Sequence, residues 1–142
     1  MIPIGVAIAL AAQAVPPDSR EEAVRSALIA TLQGNRSAFT KVVKKGAKVI
    51  DLNGRSATLS QKSLVRFTTQ CSLFNWGEGG KGPDGNWMIE WECPNGEYVG
   101  MDFRFRQHGI SKVELLQAPA IIRPPGEYKY AAVRFPQILD VH

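Results

Sequence analysis

The run Trp87-Met88-Ile89-Glu90-Trp91-Glu92-Cys93-Pro94-Asn95-Gly96-Glu97-Tyr98-Val99-Gly100-Met101-Asp102-Phe103-Arg104-Phe105-Arg106-Gln107-His108-Gly109-Ile110 continues to Ala118 and reads as three antiparallel strands. Trp87, Ile89, Trp91 and Cys93 alternate with Met88, Glu90 and Glu92. After the Pro94-Asn95-Gly96-Glu97 turn, Val99, Met101, Phe103 and Phe105 alternate with Gly100, Asp102, Arg104 and Arg106. Gln107-His108-Gly109 turns the chain into a third strand, where Val113 and Leu115 oppose Lys112 and Glu114. A period of two places each apolar set on one face of a sheet, and an Asn-Gly pair marks a hairpin. One face is therefore aromatic and aliphatic, and the other carries the charges.

Working outward towards the N-terminus, Ser72 to Trp76 is expected to form the preceding strand, with the glycine-rich loop Gly77 to Asn86 between. That loop contains Gly79-Gly80-Lys81-Gly82, yet no Ser or Thr follows the lysine and no helix opens behind it, so a phosphate-binding loop is excluded. Upstream, Ser19-Arg20-Glu21-Glu22 has the form of a capping box, and Val24, Ala27, Leu28, Thr31 and Leu32 make one apolar helix face ending at Gly34. A second helix is expected from about Arg36 to Lys45, stopped by Gly46. Lys41, Lys44, Lys45 and Lys48 would then form one basic stripe along its side. A short hairpin over Ala47 to Leu59 turns at Asn53-Gly54, and Ser60 caps a third helix with Leu64, Phe67, Thr68 and Cys71 on its inner side.

The expected architecture is thus α+β: a curved antiparallel sheet of about four long strands plus a short hairpin, wrapped on one face by three helices. At this order of elements the chain resembles the superfamily of nuclear transport factor two-like domains, with ketosteroid isomerase and the SnoaL-like cyclases. The resemblance rests on Lys48-Val49-Ile50-Asp51-Leu52-Asn53-Gly54-Arg55 after the second helix, Ser60-Gln61-Lys62-Ser63-Leu64 opening the third, and Phe103 to Leu115 closing the sheet. These are turns and caps, so the resemblance implies a fold and not an activity. It implies a cone with a pocket between sheet and helices, which enzymatic members furnish with acids, tyrosines or histidines. It also implies the outer sheet face as a dimer interface.

Carried onto this chain, the pocket would be lined by Trp87, Ile89, Trp91, Met101, Phe103 and Phe105, none able to transfer a proton near neutral pH. Two residues are candidates for acid–base work. Asp51 falls on the Ala47/Val49 side of its short strand and could face the cone mouth; the plainer role is a turn aspartate bonding local amides. Tyr98 shares a side with Asp102, outside the cone, and would need a bulge to turn inward. The expected function is a non-catalytic domain that binds a small apolar ligand or a protein partner. The rival is a small isomerase, dehydratase or cyclase. Glu90, Glu92, Asp102, Arg104 and Arg106 on the outer face form the candidate interaction surface, through which a homodimer could also form.

The length of 142 residues suits one domain. Residues 1–14 carry no charge and end Ala12-Gln13-Ala14, which is expected to be a secretory signal, too short for a stable membrane anchor. The domain is then expected over 15–118, with a proline-rich extension over 119–142 packed against it or partly disordered. A signal implies a periplasmic or secreted protein; without one the chain is cytoplasmic. Export would allow Cys71 and Cys93 to form a disulfide, and otherwise they are two buried thiols. No cofactor is implied, and no Cys/His spacing suggests a metal. The net charge of +4 comes with no aromatic interleaving or nucleic-acid module, so nucleic acid is not an expected partner.

Overall fold

The structure is a computed structural model, and it describes residues 17–78, 86–117 and 133–134. The expected signal over 1–14, most of the loop before Asn86 and most of the extension over 119–142 lie outside the described residues. In chain order the elements are α1 (Pro17–Gln33), α2 (Arg36–Val42), β1 (Val43–Ile50), β2 (Ser56–Thr58) and α3 (Gln61–Gln70). Then come β3 (Ser72–Glu78), β4 (Trp87–Cys93), a 3₁₀ turn (Pro94–Gly96), β5 (Glu97–Arg106), β6 (Gly109–Gln117) and the two-residue β7 (Val133–Arg134). The strands form one open sheet in the order β2-β1-β6-β5-β4-β3-β7. Its central pairs are the expected antiparallel meander, with Trp87 opposite Phe103 and Phe103 opposite Val113. The β1–β2 hairpin joins the same sheet through a parallel pairing of β1 with β6.

The apolar set of the meander meets the helices. Val24, Ala27 and Leu28 on α1, Leu64 on α3, and Ile89, Trp91, Met101, Phe103 and Val113 on the sheet are fully buried. Phe67 of α3 packs on Trp91 with ring centroids 5.8 Å apart. Burying each of the Val, Leu, Ile, Phe and Met side chains among them contributes roughly 1.5–3 kcal/mol. The Cys71–Cys93 disulfide is formed and buried, tying the end of α3 to the end of β4 across a sequence separation of 22.

Helix boundaries differ from the sequence reading in two places. α1 begins at Pro17, so Ser19 lies inside the helix and is not its cap. Proline suits a first helical position, where its missing N–H is no loss. α2 is capped as its sequence allows, Asn35 Oδ1 accepting from the Ala38 N–H at 3.0 Å, but it stops at Val42. Only Lys41 of the expected basic stripe is helical; Lys44, Lys45 and Lys48 belong to β1. From the β-branched Val43 onward the chain goes to sheet pairing, with Val43 opposite Ile110. Gly46, at φ +82°, then lets β1 bulge before it rejoins β6 at Lys48. The Lys44 side chain lies over Gly109, where a Cβ would come 2.5 Å from its Cδ and displace that flexible side chain.

Candidate functional site

On the helix-facing side of β3 and β4, an aromatic and ionic cluster gathers residues from distant parts of the chain. Trp76 and Trp87 pack edge to face with centroids 5.6 Å apart. Trp76 Nε1 donates to Glu21 Oε2 at 2.8 Å, and the same carboxylate oxygen accepts from Arg25 Nη2 at 3.1 Å. Arg25 also lies over the Trp76 ring, 5.2 Å from its centroid. Trp91 Nε1 finds the Met101 sulfur at 3.3 Å. Trp87 differs: its indole nitrogen is buried and has no hydrogen-bond partner among the described residues. Among the pocket candidates, Trp87, Ile89, Trp91, Met101 and Phe103 are buried and Phe105 is partly buried against the core. Trp76, Glu21 and Arg25 were not among the residues singled out from the sequence. The alternation of β3 marks Trp76 as a strand residue, but nothing local links it to α1.

Asp51 sits in the β1–β2 turn. Its Oδ1 accepts from the backbone N–H groups of Asn53 and Arg55, both at 2.9 Å. This is the turn role: a carboxylate holding the amides of its own loop. An open cleft of about 610 Å³ lies beside it, lined by Asp51, Leu52, Gly54, Glu114 and Gln117 among others. Tyr98 stays on the outer face, opposite Glu92 in the β4–β5 register and 41 % exposed. The Glu92 charge raises its phenol pKa above the usual value, with smaller contributions from burial and from a hydrogen bond to Glu92. The two proton-handling candidates are thus held apart, one in a turn and one outside the sheet.

The outer face departs from the simple alternation. Glu90 is fully buried and Asp102 is 4 % exposed, whereas Arg104 and Arg106 are exposed and Glu92 is half-buried. The two buried acids are solvated by amides arriving from elsewhere in the chain. Asn75 Nδ2 donates to Glu90 Oε1 at 3.4 Å, and Asn86 Nδ2 donates to Asp102 Oδ1. Asp102 Oδ2 accepts two further bonds from Arg104, from Nε at 3.0 Å and Nη2 at 2.9 Å. A buried carboxylate is tolerated only with such partners. The cross-strand register supplies one of them, since Asn75 lies opposite Glu90. Only Glu92, Arg104 and Arg106 of the five expected surface residues therefore remain available on that face.

A smaller open cleft of about 260 Å³ brings Ser19, Glu22, Ser26 and His108 together between α1 and the β5–β6 turn. Among the described residues no three His, Cys, Asp or Glu side chains gather as a metal site. No helix among them is long and apolar enough to cross a membrane.

No family model matches the chain, and no curated protein matches it. Solved structures do. A de novo designed protein with a curved β-sheet has a TM-score of 0.53 at 14 % identity, covering 74 % of this chain and 89 % of its own. A protein from Kribbella flavida, provisionally described as a ketosteroid isomerase, has a TM-score of 0.50 at 13 % identity, covering 78 % of this chain and 85 % of its own. A nuclear transport factor two-like protein of unknown function from Burkholderia xenovorans has a TM-score of 0.50 at 14 % identity, over 75 % of this chain and 88 % of its own. At such identities the likeness concerns the path of the backbone and no side chain. Three helices laid on one face of an open, curved sheet, in this chain order, make the nuclear transport factor two-like cone, and this chain has that fold.

Proposed function

We propose that this chain is a non-catalytic binding domain of an exported protein, and that it binds its partner on the outer face of the sheet. The observation that carries the non-catalytic reading is the use of Asp51. Its Oδ1 is held in the turn by the amides of Asn53 and Arg55. The helix-facing side of the meander offers tryptophan, isoleucine, methionine, phenylalanine and valine, none of them a general acid or base. The buried Cys71–Cys93 disulfide supports export, because such bonds persist in oxidising compartments. Exposed Arg104 and Arg106 support the outer face as the contact surface, for a second copy or another macromolecule.

A second reading, a small apolar ligand on the aromatic face, has Trp87 in its favour. A buried indole N–H without an acceptor costs about 1–3 kcal/mol, and a ligand oxygen would recover it. One experiment addresses all of this: native mass spectrometry of the full chain expressed with its N-terminus intact in an exporting host. The expected species begins at Val15 and is two hydrogens lighter than the free-thiol form. An intact N-terminus with free thiols overturns export. A bound small-molecule mass that Trp87→Phe abolishes favours the second reading. An isomerase or cyclase activity that Asp51→Asn removes overturns the non-catalytic one.

A further inference from the structure

The centre of the outer face is buried, although the described helices all pack on the other one. Glu90 of β4, Gly100 and Asp102 of β5, and Asn75 of β3 are buried there. Their strand neighbours Ile89, Trp91, Met101 and Trp76 belong to the core beneath the helices, so these positions face the opposite way. Met88 shares their side; it is 8 % exposed and yet is no part of that core. A sheet covered on one face leaves the other to water, so a fully buried glutamate there lies beneath another layer of chain. The layer is narrow. Tyr98 and Arg104, the outer positions on either side of Gly100 and Asp102 along β5, are exposed.

The topology indicates which segment passes there. β6 ends at Gln117, and β7 begins at Val133 beyond β5, β4 and β3. Gln117, Val99, Trp91, Leu73 and Val133 form one row across the sheet. Residues 118–132 join the two ends of that row, so they have to pass the β4–β5 hairpin. On the helix side the way is filled at this level by Phe67 on Trp91 and by the Cys71–Cys93 bond. A path round the hairpin tip would cover Glu97 and Tyr98, and both are exposed. The outer face is left. The row spans four strand spacings, about 19 Å. Reaching the Asp102–Met88 pair, three residues along, adds about 10 Å each way. Residues 118–132 reach about 50 Å when extended, which is enough. They also carry what the patch needs: Ile121, Ile122, Tyr128 and Tyr130 as apolar groups, and Arg123 and Lys129 as cations for buried carboxylates. The loop over 79–85 offers mostly glycine. Beyond Val133 the chain moves on to Arg134 at the level of Glu92, away from Met88. We propose that residues 118–132 cross β5 and β4 on the outer face and cover the patch around Glu90. A partner on that face, a second copy included, then meets the Arg104 and Arg106 end of β5 and not its centre.

The test is photo-cross-linking of the full chain with p-benzoylphenylalanine in place of Tyr98 or of Glu92, which flank the patch. Exposed Ser37 of α2, on the helix side, is the control position. Cross-links within one chain from Tyr98 and Glu92 into 118–132, and none from Ser37, are expected. Links into 79–85 instead, links to a second copy, or no link to 118–132 would overturn the proposal. A link to a second copy would leave the outer face as the partner surface and change only its occupant. Links into 118–132, with no partner lost on Arg104→Glu/Arg106→Glu, would overturn the outer-face partner and leave this proposal standing. Gly100→Thr adds a test by sign. On a bare face a β-branched residue in place of a strand glycine raises the melting temperature. Beneath a packed layer the added atoms lack room, so the variant is expected to melt lower and to open the patch. Carbodiimide labelling of Glu90, read by peptide mass, should then quicken about tenfold. A variant that melts at or above the parent, with Glu90 labelled no faster, would overturn the proposal.

Discussion

Asp51 shows how one side chain separates an enzyme from a binding domain on the same backbone. Its Oδ1 is the acceptor for two backbone amides that the Asp51–Arg55 turn would otherwise leave to water, and the turn also closes with the Gly54 N–H donating to the Asp51 carbonyl at 2.9 Å. The geometry needs an oxygen at that position and makes no use of a proton. Asp51→Ala is therefore expected to destabilise by about 1–2 kcal/mol, and Asp51→Asn, which keeps the oxygen, should restore most of the loss. Chemical denaturation of the two variants measures this. If the asparagine variant is as unstable as the alanine one, the negative charge matters and the turn account is wrong. The same residue shows what a local motif reveals: an aspartate two positions before Asn-Gly is legible as a turn from sequence alone. Glu90 is the opposite case. Alternation assigns it to the charged side of β4, but it is buried there, beside Asn75, fifteen positions away, through a strand register that no local pattern contains.

The strands were legible as elements because their apolar residues recur every second position, and β4, β5 and β6 follow that period closely. The α2–β1 junction was not, because Lys41, Lys44, Lys45 and Lys48 fit a helical face as well as the observed break at Val43 does. What decides there is tertiary: the pairing of Val43 with Ile110. The β5–β6 hairpin carries a residue of strain that can be tested. Gln107 and His108 hold φ of 52° and 67°, the mirror-image turn that matches strand twist. Such values cost an ordinary residue roughly 1–2 kcal/mol, whereas Asn-Gly adopts them readily. Gln107→Asn/His108→Gly should thus raise stability by about 1–2 kcal/mol, net of one exposed hydrogen bond from Lys44 Nζ to Gln107 Oε1 at 3.3 Å. An unchanged or lowered denaturation midpoint would mean that His108, which lines the cleft with Glu22, contributes contacts that offset its strain.

At the scale of the whole molecule, the disulfide and the aromatic layer perform one task by different means. α3 meets the sheet through Leu64 and Phe67, the latter packed on Trp91. Cys71, the residue that ends α3, is then bonded to Cys93 at the far end of the strand that carries Trp91. The bond therefore fixes the same pair of elements that the apolar contact joins, and it limits how far the helix can part from the sheet. For a sequence separation of 22, loss of the cross-link should cost about 3 kcal/mol in the chain-entropy model. In a domain of this size that is a fall in Tm of roughly 12–24 °C. Cys71→Ser/Cys93→Ser and the chemically reduced parent should melt at similar temperatures, both well below the oxidised protein. A reduced protein that melts with the oxidised one would show that Phe67 and Trp91 hold α3 without help, and the disulfide would lose its weight as support for an exported protein. If reduction also leaves affinity for the outer-face partner unchanged while stability falls, the sheet surface is set by the strand ladder alone. That outcome is expected, because Arg104 and Arg106 lie on β5, and the cross-link joins α3 to β4.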